Sequence, residues 1–128
     1  MRLFGIVLAA GQGTRMKSKL AKVLHPVCGK PMIGHLVDTL TRLRTDRTVV
    51  VIGHGAEAVR NTLQDAVEYA VQPEQLGTGH AVMQAAPLLA GEEGVTVVVC
   101  GDTPCLRAET LHALIDLHRD AAAGCTIL

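Results

Sequence analysis

Short runs of aliphatic and β-branched residues alternate along this chain with stretches whose apolar positions recur every three to four residues. That alternation predicts strand–helix–strand units on a mostly parallel sheet, an α/β fold with helices on both faces. Residues 3–9 (LFGIVLA) predict a first buried strand, followed by the loop AGQGTRMKSK. The KVLHPVCGKP stretch reads as irregular. Pro31 then suits the first residue of a helix reaching about Leu43, with Met32, Leu36, Val37, Leu40 and Leu43 on one face. Residues 48–52 (TVVVI) predict a second strand closed by Gly53, residues 56–63 a short helix and residues 68–71 a brief strand. A helix over 79–89 follows, its end blurred by Pro87. Residues 95–100 (VTVVVC) are the clearest strand of all; Gly101, Asp102, Thr103 and Pro104 turn the chain at its carboxyl end. A helix over about 108–122 carries Leu111, Leu114, Ile115 and His118 at helical spacing. Cys125 to Leu128 look like the start of another buried strand. A parallel strand without its crossover partner leaves apolar surface bare. The chain is therefore expected to be the N-terminal part of a larger α/β domain, its sheet truncated on the C-terminal side.

Composition narrows the class. A length of 128 residues allows one domain or part of one, and 48% hydrophobic against 19% charged residues argues for a buried core and against disorder. Apolar runs fall far short of the roughly 18–20 residues of a membrane span, and the N-terminus lacks an A-x-A-like cleavage site after a long apolar region. A cytoplasmic protein without a membrane partner is expected. Cys28, Cys100, Cys105 and Cys125 are irregularly spaced with no C-x-x-C pair, which fits neither a zinc site nor a disulfide framework. Phe4 and Tyr69 are the only aromatics, so the stacking platforms of single-strand binders are missing and nucleic acid is not an expected partner.

Charge changes the picture more. Lys plus Arg number 12 and Asp plus Glu 12, yet Arg2, Arg15, Lys17, Lys19, Lys22 and Lys30 all precede the first acid, Asp38. Four of these fall between Arg15 and Lys22, directly after a glycine-containing turn. Such a cluster can hold a small polyanion such as a polyphosphate, or stand as a solvated basic loop, and charge alone leaves both open. The P-loop pattern fails, because Met16 stands five residues after Gly11 and Ser18 five after Gly13. A dinucleotide fingerprint fails too, with Met16 at its third small position and Gly53 and His54 where an acid should end the second strand. What remains is a G-x-G turn at a strand's carboxyl end. Gly11 and Gly13 carry no Cβ, so backbone N–H groups there can approach phosphate oxygens. Arg15 adds a planar fork, and Lys22 a movable point charge able to follow a phosphoryl group. Asp102, after the clearest strand, can act as a hard-oxygen metal ligand or simply cap the turn before Thr103 and Pro104. His25, His35, His54, His80, His112 and His118 are scattered without metal-ligand spacing.

The string LAAGQGTRMKSKLAKVLHPVCGKPM resembles the signature of the sugar-nucleotide pyrophosphorylases, the nucleotidyltransferases that join a sugar 1-phosphate to an NTP. VIGHGAE, QPEQLGTGHAV and VVVCGDTPCL follow in order and at suitable spacing, and resemble the family's bacterial N-acetylglucosamine-1-phosphate uridyltransferase branch. The resemblance covers nearly the whole chain. It implies a Rossmann-like nucleotide-diphospho-sugar transferase fold, with residues 1–128 as the nucleotide-binding part of the uridyltransferase domain. It also implies UTP and N-acetylglucosamine 1-phosphate as substrates, Mg²⁺ as cofactor, and UDP-N-acetylglucosamine for cell-wall precursors as product. By that resemblance Leu8, Ala9, Ala10, Gly11 and Gly13 line the nucleotide pocket. Arg15 holds the leaving pyrophosphate, Lys22 the α-phosphate region, and Asp102 the metal. Gln72, Gly77 and Thr78 read the uracil and ribose; a side-chain amide carries both a donor and an acceptor, matching an imide edge. The second metal ligand, the sugar-gripping residues and a left-handed β-helix acetyltransferase domain lie downstream in the family, and trimer contacts largely with them. Ala21 departs from the family's proline before the lysine, which should loosen the loop. Two rival readings are a transferase of the same superfamily using CTP or GTP, and a nucleotide-binding fragment without catalysis.

Overall fold

The carboxyl ends of four strands meet at one edge of the molecule, because every strand of the main sheet runs the same way. In the computed structural model, which describes residues 1–11, 19–53 and 56–128, these strands are β1 (Arg2–Leu8), β4 (Arg47–Ile52), β5 (Glu68–Val71) and β6 (Gly94–Cys100). Their order across the sheet is β5-β4-β1-β6, and all three pairings are parallel. Leu8 stands level with Val51 on one side and Cys100 on the other. A small antiparallel hairpin, β2 (Pro26–Val27) with β3 (Lys30–Pro31), lies within the stretch that reads as irregular in the sequence. Cys28 and Gly29 turn it with positive φ.

Helices α1 (Met32–Arg42), α2 (Ala56–Leu63), α3 (Thr78–Leu89) and α4 (Ala108–Asp120), with two 3-10 turns at Lys22–Leu24 and Gln64–Ala66, complete the described elements. Strand alternation sorts the core into two layers. Leu3, Val7 and Ala9 of the first strand and its exit, with Val50, Ile52, Val97 and Val99, face Ile33, Leu36, Leu40, Val59, Leu111 and Ile115 from α1, α2 and α4. Ile6, Ala10, Val49, Val51 and Ala70 face Ala81 and Ala85 of α3. Helices thus cover both faces, as the sequence pattern predicts. Ile33, Leu36, Val7, Val50 and Ile52 have no exposed surface; each contributes roughly 1.5–3 kcal/mol by leaving water.

Details shift by single positions. Pro31 is the residue before α1 rather than its first, with φ −52°. The buried face of α1 runs through Ile33, Leu36, Leu40 and Leu43, and Met32 stays partly exposed. α3 continues through Pro87 to Leu89. Pro87 has no N–H to give the Met83 carbonyl one turn earlier, so the helix forgoes that bond. Cys125 to Leu128 form no strand, contrary to the sequence expectation. Apolar residues make a strand only where a neighbouring strand offers a ladder. Here Thr126 bonds the ring of His118 instead, leaving Ile127 and Leu128 87% and 73% exposed. All four cysteines are free and exposed. Among the described residues no helix is long and apolar enough to cross a membrane.

Candidate functional site

In the order β5-β4-β1-β6 the chain leaves β1 toward one side of the sheet and returns to β6 on the other, so the crevice at the carboxyl ends of β1 and β6 is the topological switch point. Parallel α/β sheets bind ligands at such a point. Two residues singled out from the sequence meet there. Lys22 Nζ lies 2.7 Å from Asp102 Oδ2, and both side chains are a little over a third exposed.

The approach is set locally. Lys22 opens a 3-10 turn, Lys22–Leu24, whose Val23 and Leu24 are buried. Gly101 follows β6 directly and donates its N–H to Leu8 O at 2.8 Å. A Cβ at Gly101 would lie 2.9 Å from Val23 Cγ1 and 3.0 Å from Leu8 O, so only glycine lets the turn seat against the strand end. Asp102 comes next. Its turn is closed by Thr103, whose Oγ1 donates to Cys100 O at 2.9 Å, and α4 begins after Arg107 without a side-chain cap. The Asp102 carboxylate faces a cation.

Leu8 ends β1 half-buried, whereas Ala9 and Ala10 are 4% and 3% exposed, with their methyl groups in opposite core layers. These two can offer a ligand only their main chain. Gly11 is exposed. Gly13 and Arg15 lie outside the described residues.

A second group gathers beyond β5. Gln72 is 3% exposed, and its Nε2 donates to Gly77 O at 3.2 Å and to His80 Nδ1 at 2.9 Å. Gly77 precedes α3 with φ +110°, a conformation that favours glycine, and its carbonyl also accepts the Ala81 N–H. Thr78 is the first, exposed residue of α3. Gln72, Gly77 and Thr78 are therefore neighbours, as the sequence motif implies. Two participants have no signal in a single sequence. Gln75 Nε2 donates to Ala10 O at 2.6 Å, tying this group to the exit of β1, and His80 receives the Gln72 amide. Both stand inside QPEQLGTGHAV, but nothing in its spacing separates them from its solvent-facing residues.

Three strand spacings, about 14 Å, separate the ends of β5 and β6. The edge thus carries an amide-rich group at one end and a lysine–carboxylate pair at the other, with the main chain of Ala9 to Gly11 between. Among the described residues no cluster of three or more His, Cys, Asp or Glu could hold a metal by itself. A lone carboxylate suits Mg²⁺, which is commonly held by one or two carboxylates plus substrate phosphates. A cleft of about 320 Å³ opens between α1 and the start of α4, lined in part by His35, Arg42, Cys105 and Arg107; none of the described residues expected for nucleotide binding lines it.

The profile of the MobA-like NTP transferase domain matches residues 5–128. The chain is 59% identical over 128 residues to the bifunctional protein GlmU of Exiguobacterium sibiricum and 58% identical over 125 residues to that of Shouchella clausii. These matches cover 100% and 98% of the chain, which spans only 28% of the length of each relative. In three dimensions it resembles Rv0371c of Mycobacterium tuberculosis, solved as a complex with manganese, with a TM-score of 0.76 and 24% identity over 91% of this chain and 59% of that one.

Proposed function

Because this chain belongs to the MobA-like NTP transferase domain family, we propose that it is the nucleotide-binding part of a uridyltransferase that makes UDP-N-acetylglucosamine and pyrophosphate from UTP and N-acetylglucosamine 1-phosphate in the cytoplasm. The observation that carries the reading is the contact between Lys22 and Asp102 at the switch point. It brings a phosphate-seeking cation and a hard-oxygen ligand to one place.

In this reading the base rests toward β5, against Gln72, Gly77 and Thr78, and the triphosphate runs past the main chain of Leu8, Ala9, Ala10, Gly11 and Gly13. Arg15 holds the departing pyrophosphate. Lys22 leaves Asp102 for the α-phosphate oxygens, where its charge balances what develops in the transition state. Asp102 would hold a Mg²⁺ ion, which would supply charge neutralisation for the displacement. Manganese in the Rv0371c complex supports a divalent metal in this fold. An oxygen of the sugar phosphate attacks the α-phosphorus in line and the bond to pyrophosphate breaks. No general base is required, since the attacking phosphate is already ionised. The protein contributes positioning and charge.

Calorimetric titration of the chain with UTP, CTP and ATP at fixed Mg²⁺ tests the reading. Saturable binding that favours UTP is expected. A preference for CTP assigns the site to another transferase of the superfamily, and no binding by any of the three refutes the site.

A further inference from the structure

The Gln72 amide faces two protein groups at once, and their chemistry decides which way round it stands. Gly77 O can only accept, so the amide atom 3.2 Å from it is the nitrogen. The second hydrogen of that nitrogen then points at His80 Nδ1, 2.9 Å away. A ring nitrogen accepts only when it carries no proton, so the imidazole is neutral with its hydrogen on Nε2. Gln84 Nε2 donates to His80 O at 3.1 Å and lies 3.3 Å from His80 Nε2. The contact of Gln84 with the ring is the longer of the two and comes from a half-buried side chain, so the tautomer is set by the shorter contact from Gln72, which is 3% exposed. Both of its amide hydrogens are committed inside the protein, and the group left to meet a ligand is the carbonyl oxygen Oε1.

We propose that His80 is a specificity-positioning residue: by accepting from Gln72 it leaves that glutamine only an acceptor to offer a nucleobase, which selects bases carrying an imide N–H. The proposal rests on the uridine reading above. Uracil presents an N–H between two carbonyls, whereas cytosine presents a bare ring nitrogen at the same place and would set acceptor against acceptor. A mismatch of that kind disfavours the wrong base by about tenfold or more. Without His80 the second amide hydrogen is uncommitted, so Gln72 can offer a donor as well as its acceptor.

The test compares the affinities of the chain for UTP and CTP at fixed Mg²⁺ in the unaltered protein, in His80→Leu and in His80→Asn, whose side-chain oxygen can stand where Nδ1 stands. His80→Leu should lower the preference for UTP over CTP by about tenfold, and His80→Asn should restore most of it. A purely structural role would weaken both nucleotides alike and leave their ratio unchanged, and an unchanged ratio in His80→Leu refutes the proposal. Equal affinity of the unaltered chain for the two nucleotides, or none for either, refutes the uridine reading and this proposal with it. The ¹⁵N shifts of the His80 ring in the unaltered chain give a reading independent of any variant's folding. A proton on Nε2 is expected, and one on Nδ1 overturns the proposal while leaving the uridine reading intact.

Discussion

Replacing Gly101 by alanine tests how the chain brings its two charged site residues together. The added Cβ would stand 2.9 Å from Val23 Cγ1 and 3.0 Å from Leu8 O, against about 3.5–4.0 Å for an unstrained carbon contact. Neither neighbour can yield easily. Leu8 O belongs to the central strand and already receives the Gly101 N–H, and Val23 is 5% exposed within the turn that begins at Lys22. Overpacking of this kind costs about 1–3 kcal/mol, or roughly 3–6 °C of melting temperature per kcal/mol in a chain of this length. The turn carrying Lys22 should move away from Asp102, so metal-dependent UTP affinity should fall with stability. Thermal denaturation followed by circular dichroism measures the first, and UTP titration at fixed Mg²⁺ the second. Val23→Ala added to Gly101→Ala removes one of the two clashes, so the double variant should lose less stability than the sum of the singles. A Gly101→Ala chain within about 0.5 kcal/mol of the unaltered one, with its UTP affinity unchanged, would refute this account of the close approach.

Two further outcomes follow from contacts away from the crevice. Arg47 grips Glu68 through Nε and Nη2 at 2.8 and 2.6 Å, and this hydrogen-bonded guanidinium holds the Glu68 carboxyl below its ordinary value. A lowered carboxyl stabilises the fold fully above the ordinary glutamate value of about 4.3 and loses that contribution as pH falls through the lowered value. Glu68→Gln should therefore cost about 0.5 kcal/mol at neutral pH, discounted for its exposed side chain, and flatten the acid limb of a stability–pH curve from urea melts; a curve parallel to the original would count against the pairing. Ala21 sits at φ −54° before the 3-10 turn, an angle that suits a proline ring. Ala21→Pro should raise stability by about 0.4–1 kcal/mol in the same melts, and a loss would show that the site needs an N–H or a freedom that proline removes.

Much of this architecture is legible in the sequence because it depends on local periodicity. The runs at Val49 to Ile52 and Val95 to Cys100 are β-branched, bounded by turn residues, and long enough to read as buried parallel strands. The Pro26–Val27 and Lys30–Pro31 hairpin is too short to show a period, and its turn relies on Cys28 at positive φ, which no propensity marks. Residues 125–128 look like a strand by composition, but a strand is defined by its neighbour, and composition does not reveal one. The site divides the same way. Lys22 and Asp102 stand out by charge and by their place after strand or loop, whereas their contact depends on the absent side chain of Gly101 across 79 intervening positions of chain, counted as 101 − 22. His80 and Gln75 act through three-dimensional hydrogen bonds to Gln72 and Ala10, and one sequence carries no trace of those partners.

The most direct test of the central claim, that Lys22 and Asp102 form the phosphate and metal end of a nucleotide site, is UTP titration of the unaltered chain, Lys22→Ala and Asp102→Asn, each with Mg²⁺ and with the metal chelated. The account predicts that each substitution weakens binding at least about tenfold in Mg²⁺, as the loss of a charge-assisted contact should. With the metal chelated, Asp102→Asn should bind no worse than the unaltered chain, because its carboxylate then has no ion to hold against the phosphates. Affinities in Mg²⁺ that neither substitution changes would contradict it.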